Sequence, residues 1–222
     1  MKRTIRALAL AVLAFPAVAG AQVLNFENIP GGNAVNVPTN WYNGGPGGNY
    51  GITFSSNALR LCLNTPSNPG CSNTSRGGYG DPTSQTGGLF FLSGPSTYMN
   101  SSVGFTTGFS FFYSAINTGG SFDVWSGLNG TGSILASLTL PTTTSGAPGC
   151  IGGFCPFVAA GVSFAGTAQS VVFAGAANQI VFDDVTFGSN VPGTTTPEPA
   201  SLALLATGLV GIGGIVRRRR NG

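Results

Sequence analysis

Between Gln22 and Val191 apolar residues recur at alternate positions over short runs, and clusters of Gly, Pro, Ser and Asn interrupt them. The runs VLNFENI, YGITFSS, ALRLCL, GLFFLSG, SSVGF, GFSFFYSAI, SFDVWSG, SILASLTL, FVAAGVSFAG, AQSVVFAG and NQIVFDDVTFG each read as a strand. A period of two sends successive side chains to opposite faces of a sheet. Ile134, Ala136, Leu138 and Leu140 are therefore expected on one face, with Leu135, Ser137 and Thr139 on the other. Phe122 and Val124 alternate in the same way with Asp123 and Trp125. NTGG and GLNGTG have the composition of hairpin links. No segment between the two ends keeps a helical period. Short strands at this spacing predict an all-β fold, a two-layer β-sandwich of jelly-roll type, over residues 22–190. A domain of about 170 residues buries roughly 70% of its unfolded surface, so one core suffices.

The two ends follow a different pattern. MKRTIRALALAVLAFPAVAGAQ has a basic start, an apolar stretch from Ala7 to Val18, and small residues at Ala19 and Ala21. This is the layout of a signal peptide over residues 1–21, cut by signal peptidase between Ala21 and Gln22, with an uncleaved anchor as the alternative. At the other end, Ala200 to Val216 is uncharged and is followed by Arg217, Arg218, Arg219 and Arg220. As a transmembrane helix, residues 200–216 would span about 25 Å, slightly less than a ~30 Å hydrocarbon core. The arginines would stay on the cytoplasmic side as a retention signal, leaving the preceding domain outside. Ala203, Thr207 and Gly211 form a small-residue stripe on that helix. VPGTTT, residues 191–196, reads as a polar linker.

Charge changes the picture only once it is located. The formal net charge is +3, yet Lys2, Arg3, Arg6 and Arg217–Arg220 all lie at the ends. Between them Arg60 and Arg76 face Glu27, Asp81, Asp123, Asp183 and Asp184, so the middle is mildly acidic. The basic footprint of a nucleic-acid binder is missing, and no nucleic-acid partner is expected.

Pro197, Glu198 and Pro199 stand directly before the C-terminal apolar run and open the sequence PEPAS. The three-part tail, residues 197–222, resembles the PEP-CTERM sorting signal of Gram-negative bacteria. The resemblance implies recognition of Pro-Glu-Pro by an exosortase, a membrane processing enzyme. It also implies export through an inner-membrane intermediate to the cell surface or extracellular matrix, in association with exopolysaccharide or biofilm. A plain C-terminal anchor is the alternative. LNFENIP, YGITFS, FDVWSGLNGTGSILAS and the closing VSFAGTAQSVVFAGAANQIVFDDVTFGS further resemble secreted sandwiches that carry this signal.

The remaining candidates concern chemistry inside the sandwich. Cys62, Cys71, Cys150 and Cys155 fall in two local pairs, and export favours the disulfides Cys62–Cys71 and Cys150–Cys155 over zinc. The chain has no histidine, which excludes Ser-His and Cys-His catalysis. Its only lysine, Lys2, lies in the signal peptide. Asp183 and Asp184 are strand neighbours that should point to opposite faces, so they are not expected to form a hydrolytic pair; the chain is read as non-catalytic, with a secreted carbohydrate-active enzyme using Glu27 and one of these aspartates as the lesser alternative. Glu27 with Asp183 or Asp184 suits a structural calcium ion if the first and last strands meet, and turn capping by the same residues is the alternative. Trp41 and Tyr42, in the loop TNWYNGGPGGNYG, suit stacking on a sugar ring in a lectin-like module or packing over a sandwich edge.

Overall fold

Alternation produces strands throughout: among the described residues every regular element is β, and no helix is long and apolar enough to cross a membrane. A computed structural model describes residues 20–63, 86–143 and 153–194, all within one unit, Gly20–Pro197. The chain forms β1 (Gln22–Leu24), β2 (Val35–Asn36), β3 (Asn43–Gly45), β4 (Gly48–Asn49), β5 (Ile52–Phe54), β6 (Leu59–Arg60) and β7 (Leu89–Phe90). Longer strands follow: β8 (Ser96–Phe105), β9 (Gly108–Ala115), β10 (Gly120–Trp125), β11 (Ile134–Leu140), β12 (Val158–Ser163), β13 (Ala168–Gly175) and β14 (Ile180–Phe187). The expected transmembrane segment, the sorting tail, most of the expected signal peptide, Cys71 and Cys150 lie outside the described residues.

Two sheets make the sandwich. One runs β12-β9-β14-β7-β6-β2, with β1 also paired to β14; the other runs β11-β10-β13-β8-β5. The β3–β4 hairpin stands apart. β9 and β10 lie in different sheets, so NTGG is a crossover between layers rather than the hairpin its composition suggests. GLNGTG does join two paired strands, β10 and β11.

Phenylalanine fills the space between the layers. Phe111 of one sheet meets Phe122 of the other edge-on at 4.8 Å, and Phe173 meets Phe182 at 4.8 Å. All four are fully buried. Burying one such side chain contributes about 1.5–3 kcal/mol, and edge-to-face contact adds about 0.5–1.5 kcal/mol. A smaller cluster, Leu61, Leu63, Phe90, Phe154, Phe157 and Val181, lies apart from this core and includes two side chains from the 154–157 segment. Cys62 and Cys155 are also buried, and neither is a free thiol.

Register shifts in four of the strand pairs interrupt the strict alternation. One falls at Val124/Trp125 against β11. Past it, Ile134 is 51% exposed while Ala136 and Leu138 pack on the core, so Ile134 leaves the face that its period of two assigns it. Another falls in β14 between Asp183 and Thr186, where Asp184 takes φ 46°. Both aspartates end up buried.

Candidate functional site

β1 stops at Leu24, well before the run VLNFENI ends, because Phe26 and Asn28 both adopt positive φ. A non-glycine residue there costs on the order of 1–2 kcal/mol. Tyr42 supports it: the Phe26 N–H donates to the Tyr42 hydroxyl at 2.8 Å, and the two rings pack edge-on. The chain thus turns out of the sheet beside β14.

This turn fills a gap. β14 pairs with β1 up to Val185, opposite Leu24, and with β7 at Phe182, opposite Leu89. Asp183 and Asp184 sit between these two partners. Glu27 bridges toward β7: its Oε1 accepts the N–H groups of Thr86 (2.8 Å) and Gly87 (2.9 Å), and its Oε2 accepts the Thr86 hydroxyl. Gly87 lies so close to the Phe26 carbonyl that no Cβ fits between them.

Arg60 supplies the positive charge. Its Nε donates to the Phe26 carbonyl at 3.3 Å and its Nη1 to the Gly32 carbonyl at 2.8 Å. Burial lowers its pKa, and the Glu27 charge opposes that shift. Asp183 accepts the Asp184 N–H at 2.7 Å. Burial, reinforced by the charges of Asp183 and Glu27, pushes the Tyr42 hydroxyl far above its ordinary value, against the hydrogen bonds from Phe26 and Trp41.

Glu27 and Asp183 therefore reach the same corner, as a calcium site requires. Among the described residues, however, no group of three or more His, Cys, Asp or Glu side chains is placed to hold a metal ion. The Glu27 oxygens serve Thr86 and Gly87 instead. The corner acts chemically as a clasp: one carboxylate and one guanidinium tie the backbones of three segments together.

Trp41 and Tyr42 do not form a sugar platform. They are 7% and 2% exposed and belong to the main core. The Trp41 ring covers Gly47, where any side chain would collide with the indole, and Tyr42 packs on Phe54 as well as Phe26. The many glycines of this loop let it fold back over the sandwich, which withdraws both rings from solvent.

Half-buried aromatics occur elsewhere, on the outer face of the five-stranded sheet. Tyr98, Val172 and Asp123 lie in one cross-strand row, and Asn100, Ser170 and Trp125 in the next. Tyr98 and Trp125 stand two strand spacings apart across the sheet and two residues apart along it, about 12 Å in all. Asp123 accepts the Ser137 hydroxyl, and Asn100 pairs with Asn129 at 2.7 Å. Sequence reading missed Tyr98 because the run SSVGF places the strand start at Ser101. The alternation of Thr97, Met99 and Ser101 against Tyr98 and Asn100 was the available signal.

The two residues expected to flank signal cleavage lie among the described residues. Ala21 is buried against Gly188, and Gln22 opens β1 opposite Phe187.

Together these features define a β-sandwich module whose carboxylates are tied into its own framework. Residues 195–220 match the model described as the PEP-CTERM protein-sorting motif, so the chain carries that sorting signal, which implies export and processing by an exosortase. No protein of curated function matches the chain. Similar solved structures include the C-terminal CBM6 of LamC, a marine laminarinase from Zobellia galactanivorans. It is 10% identical with TM-score 0.37, over 76% of this chain and 99% of that one. The K1 cleaved adhesin domain of the Lys-gingipain of Porphyromonas gingivalis W83 is 14% identical with TM-score 0.43, over 77% and 98%. The K3 cleaved adhesin domain of the same protein is 13% identical with TM-score 0.42, over 77% and 100%. The sandwich assignment rests on the strand pairing described above.

The clasp has a measurable signature at alkaline pH. Burial raises the pKa of both Tyr42 and Tyr113, so the folded protein keeps protons that the unfolded chain loses above about pH 10. Stability is then full below that pH and falls above it. Tyr42→Phe should cost about 1–3 kcal/mol at neutral pH by leaving the Phe26 N–H unpaired. It should also flatten the alkaline fall, as read from urea midpoints at about pH 9 and about pH 11.

Proposed function

We propose that this chain is a non-catalytic, exported surface or matrix protein, sorted by an exosortase and associated with exopolysaccharide. The observation that carries the reading is the sorting motif at residues 195–220, which starts directly after Thr194. In this reading Pro197, Glu198 and Pro199 are the recognition element, residues 200–216 the membrane-transit helix and Arg217–Arg220 the retention signal. Signal peptidase cuts between Ala21 and Gln22 before β1 docks, since Ala21 is buried in the folded sandwich. The local disulfides Cys62–Cys71 and Cys150–Cys155 close two loops, each contributing about 2–3 kcal/mol on the chain-entropy model. A non-catalytic role is supported by the absence of histidine and by the burial of Asp183 and Asp184.

A lectin-like module is the second reading, favoured by the outer-face aromatics Tyr98 and Trp125.

Two experiments test these readings. Glu198→Ala in the native host should leave full-length protein in the inner membrane and deplete the surface fraction on cell fractionation. A wild-type distribution would remove the exosortase reading. On a glycan array, the lectin reading expects binding that Tyr98→Ala and Trp125→Ala each weaken at least tenfold, about 1.4 kcal/mol or more. Binding unaffected by both, or absent from the wild type, rejects it.

A further inference from the structure

An asparagine followed by glycine is open to attack by its own backbone, because glycine has no Cβ to hinder the approach of its nitrogen to the side-chain amide. The chain holds three such pairs, Asn43-Gly44, Asn129-Gly130 and Asn221-Gly222, and the last lies outside the described residues. The first two sit in opposite surroundings.

Asn129 belongs to the connection between β10 and β11, which folds back over the outer face of the five-stranded sheet. Its N–H donates to Asn100 Oδ1 at 2.8 Å, and its own Oδ1 accepts from Asn100 Nδ2 at 2.7 Å. The Gly130 N–H donates to Ser170 Oγ at 2.9 Å, and that hydroxyl donates onward to the Gly127 carbonyl at 2.6 Å. Ser170 is fully buried. β8 and β13 thus grip both the amide that would be attacked and the nitrogen that would attack it.

Asn43 belongs to the separate β3–β4 hairpin. It stands opposite Asn49, and Gly45 stands opposite Gly48, which leaves Gly44 without a partner in the register. A residue left out of the ladder at such a bulge is held less tightly than one inside it. Gly44 takes φ 90°, and beyond its chain neighbours a Cβ there would meet only Asn49 Oδ1, at 3.8 Å. Asn43 and Gly44 are both exposed.

We propose that Asn43 is a site of spontaneous covalent modification, deamidation through a succinimide, and that the 126–132 connection keeps Asn129 from the same reaction. Solvent base takes the Gly44 amide proton, and the nitrogen attacks Cγ of Asn43. A C–N bond forms, the Cγ–Nδ2 bond breaks, and ammonia leaves with a proton returned by solvent. Water then opens the five-membered ring at either carbonyl, giving aspartate or isoaspartate. Water is the sole co-reactant, and no redox step occurs. The attack is intramolecular, so proximity supplies what an external catalyst would otherwise have to.

The product acts on its neighbour. Isoaspartate routes the main chain through the former side chain and so inserts an extra methylene directly after Tyr42. The backbone there is fixed: the Tyr42 carbonyl accepts the N–H groups of Tyr50 at 3.0 Å and Ile52 at 3.3 Å, and the Asn43 N–H donates to the Asn40 carbonyl at 3.1 Å. Lengthening the chain at this point strains the hold of the Tyr42 hydroxyl on the Phe26 N–H. The modification is therefore a one-way change that loosens the clasp as the protein ages.

Full-length protein aged in mildly alkaline buffer and mapped by peptide mass spectrometry tests both parts. Asn43 should convert severalfold faster than Asn129, to a mixture of aspartate and isoaspartate, and Asn43→Gln should abolish the product at that position. Asn100→Ala should speed conversion of Asn129 severalfold and leave Asn43 unchanged, and the unchanged rate at Asn43 also reports that the variant is folded. Conversion of Asn129 as fast as Asn43 in the wild type, or no conversion of Asn43, overturns the assignment. An unaltered rate at Asn129 in Asn100→Ala overturns the protection. The urea midpoint of the wild type should fall as isoaspartate accumulates, while that of Asn43→Gln holds. A constant wild-type midpoint at full conversion would overturn the link to the clasp.

Discussion

The antiparallel pairing of β1 with β14, Gln22 opposite Phe187 through Leu24 opposite Val185, is the constraint from which the rest of the molecule follows. It joins the first strand to the last, so the sheet is closed by chain ends rather than by a long internal connection. It is only three residues long, because β14 must also pair with β7 on the same edge. The chain therefore leaves the sheet at Asn25, and every feature of the nearby corner answers that departure. Phe26 and Asn28 turn through positive φ, Tyr42 accepts the displaced N–H, and Glu27 holds Thr86 and Gly87 in place of a continuing ladder. Charge-assisted bonds of this kind contribute about 1.5–3 kcal/mol each when shielded from water, less for a half-buried group such as Glu27.

The same pairing fixes where the chain enters and leaves the sandwich. With first and last strands side by side and antiparallel, the points where the chain enters and leaves the sandwich fall at one end. Both ends of the sequence carry apolar segments, Ala7–Val18 and Ala200–Val216. Among the described residues the acidic side chains and Arg60 lie away from the end where the chain enters and leaves.

How much of this was legible depended on whether local pattern or tertiary context governed each residue. AQSVVFAG gave β13 with its boundaries intact, because a central strand between two partners has both a clean alternation and sharp ends. The tail was readable for a similar reason: partitioning and charge act along the sequence, with no need of a partner. The corner was not readable. VLNFENI alternates beyond Leu24, and only the competition between β1 and β7 for one edge of β14 stops it. The period of two placed Ile134 with Leu138, until a bulge set by the neighbouring strand shifted it outward. Strands β2, β3 and β4 are too short and too rich in Gly and Asn to show a period at all. Trp41 and Tyr42 sat in a loop by composition, but glycine let that loop close on the core. Of the candidate site, the pairing of the first strand with the last, which brings Glu27 near β14, was foreseeable. The roles of Thr86, Gly87 and Arg60 depended on distant backbone groups that no local motif reports.

The central claim is that both ends of the chain are addresses, removed once they have been read, and that the sandwich is what remains. The intact mass of the mature protein from its native host, with and without the exosortase, tests both ends at once. The account predicts a chain that starts at Gln22 in both strains and ends within Pro197–Ala200 only when the exosortase is present. Retention of Arg217–Arg220 in both strains would contradict it and reduce the tail to a simple anchor.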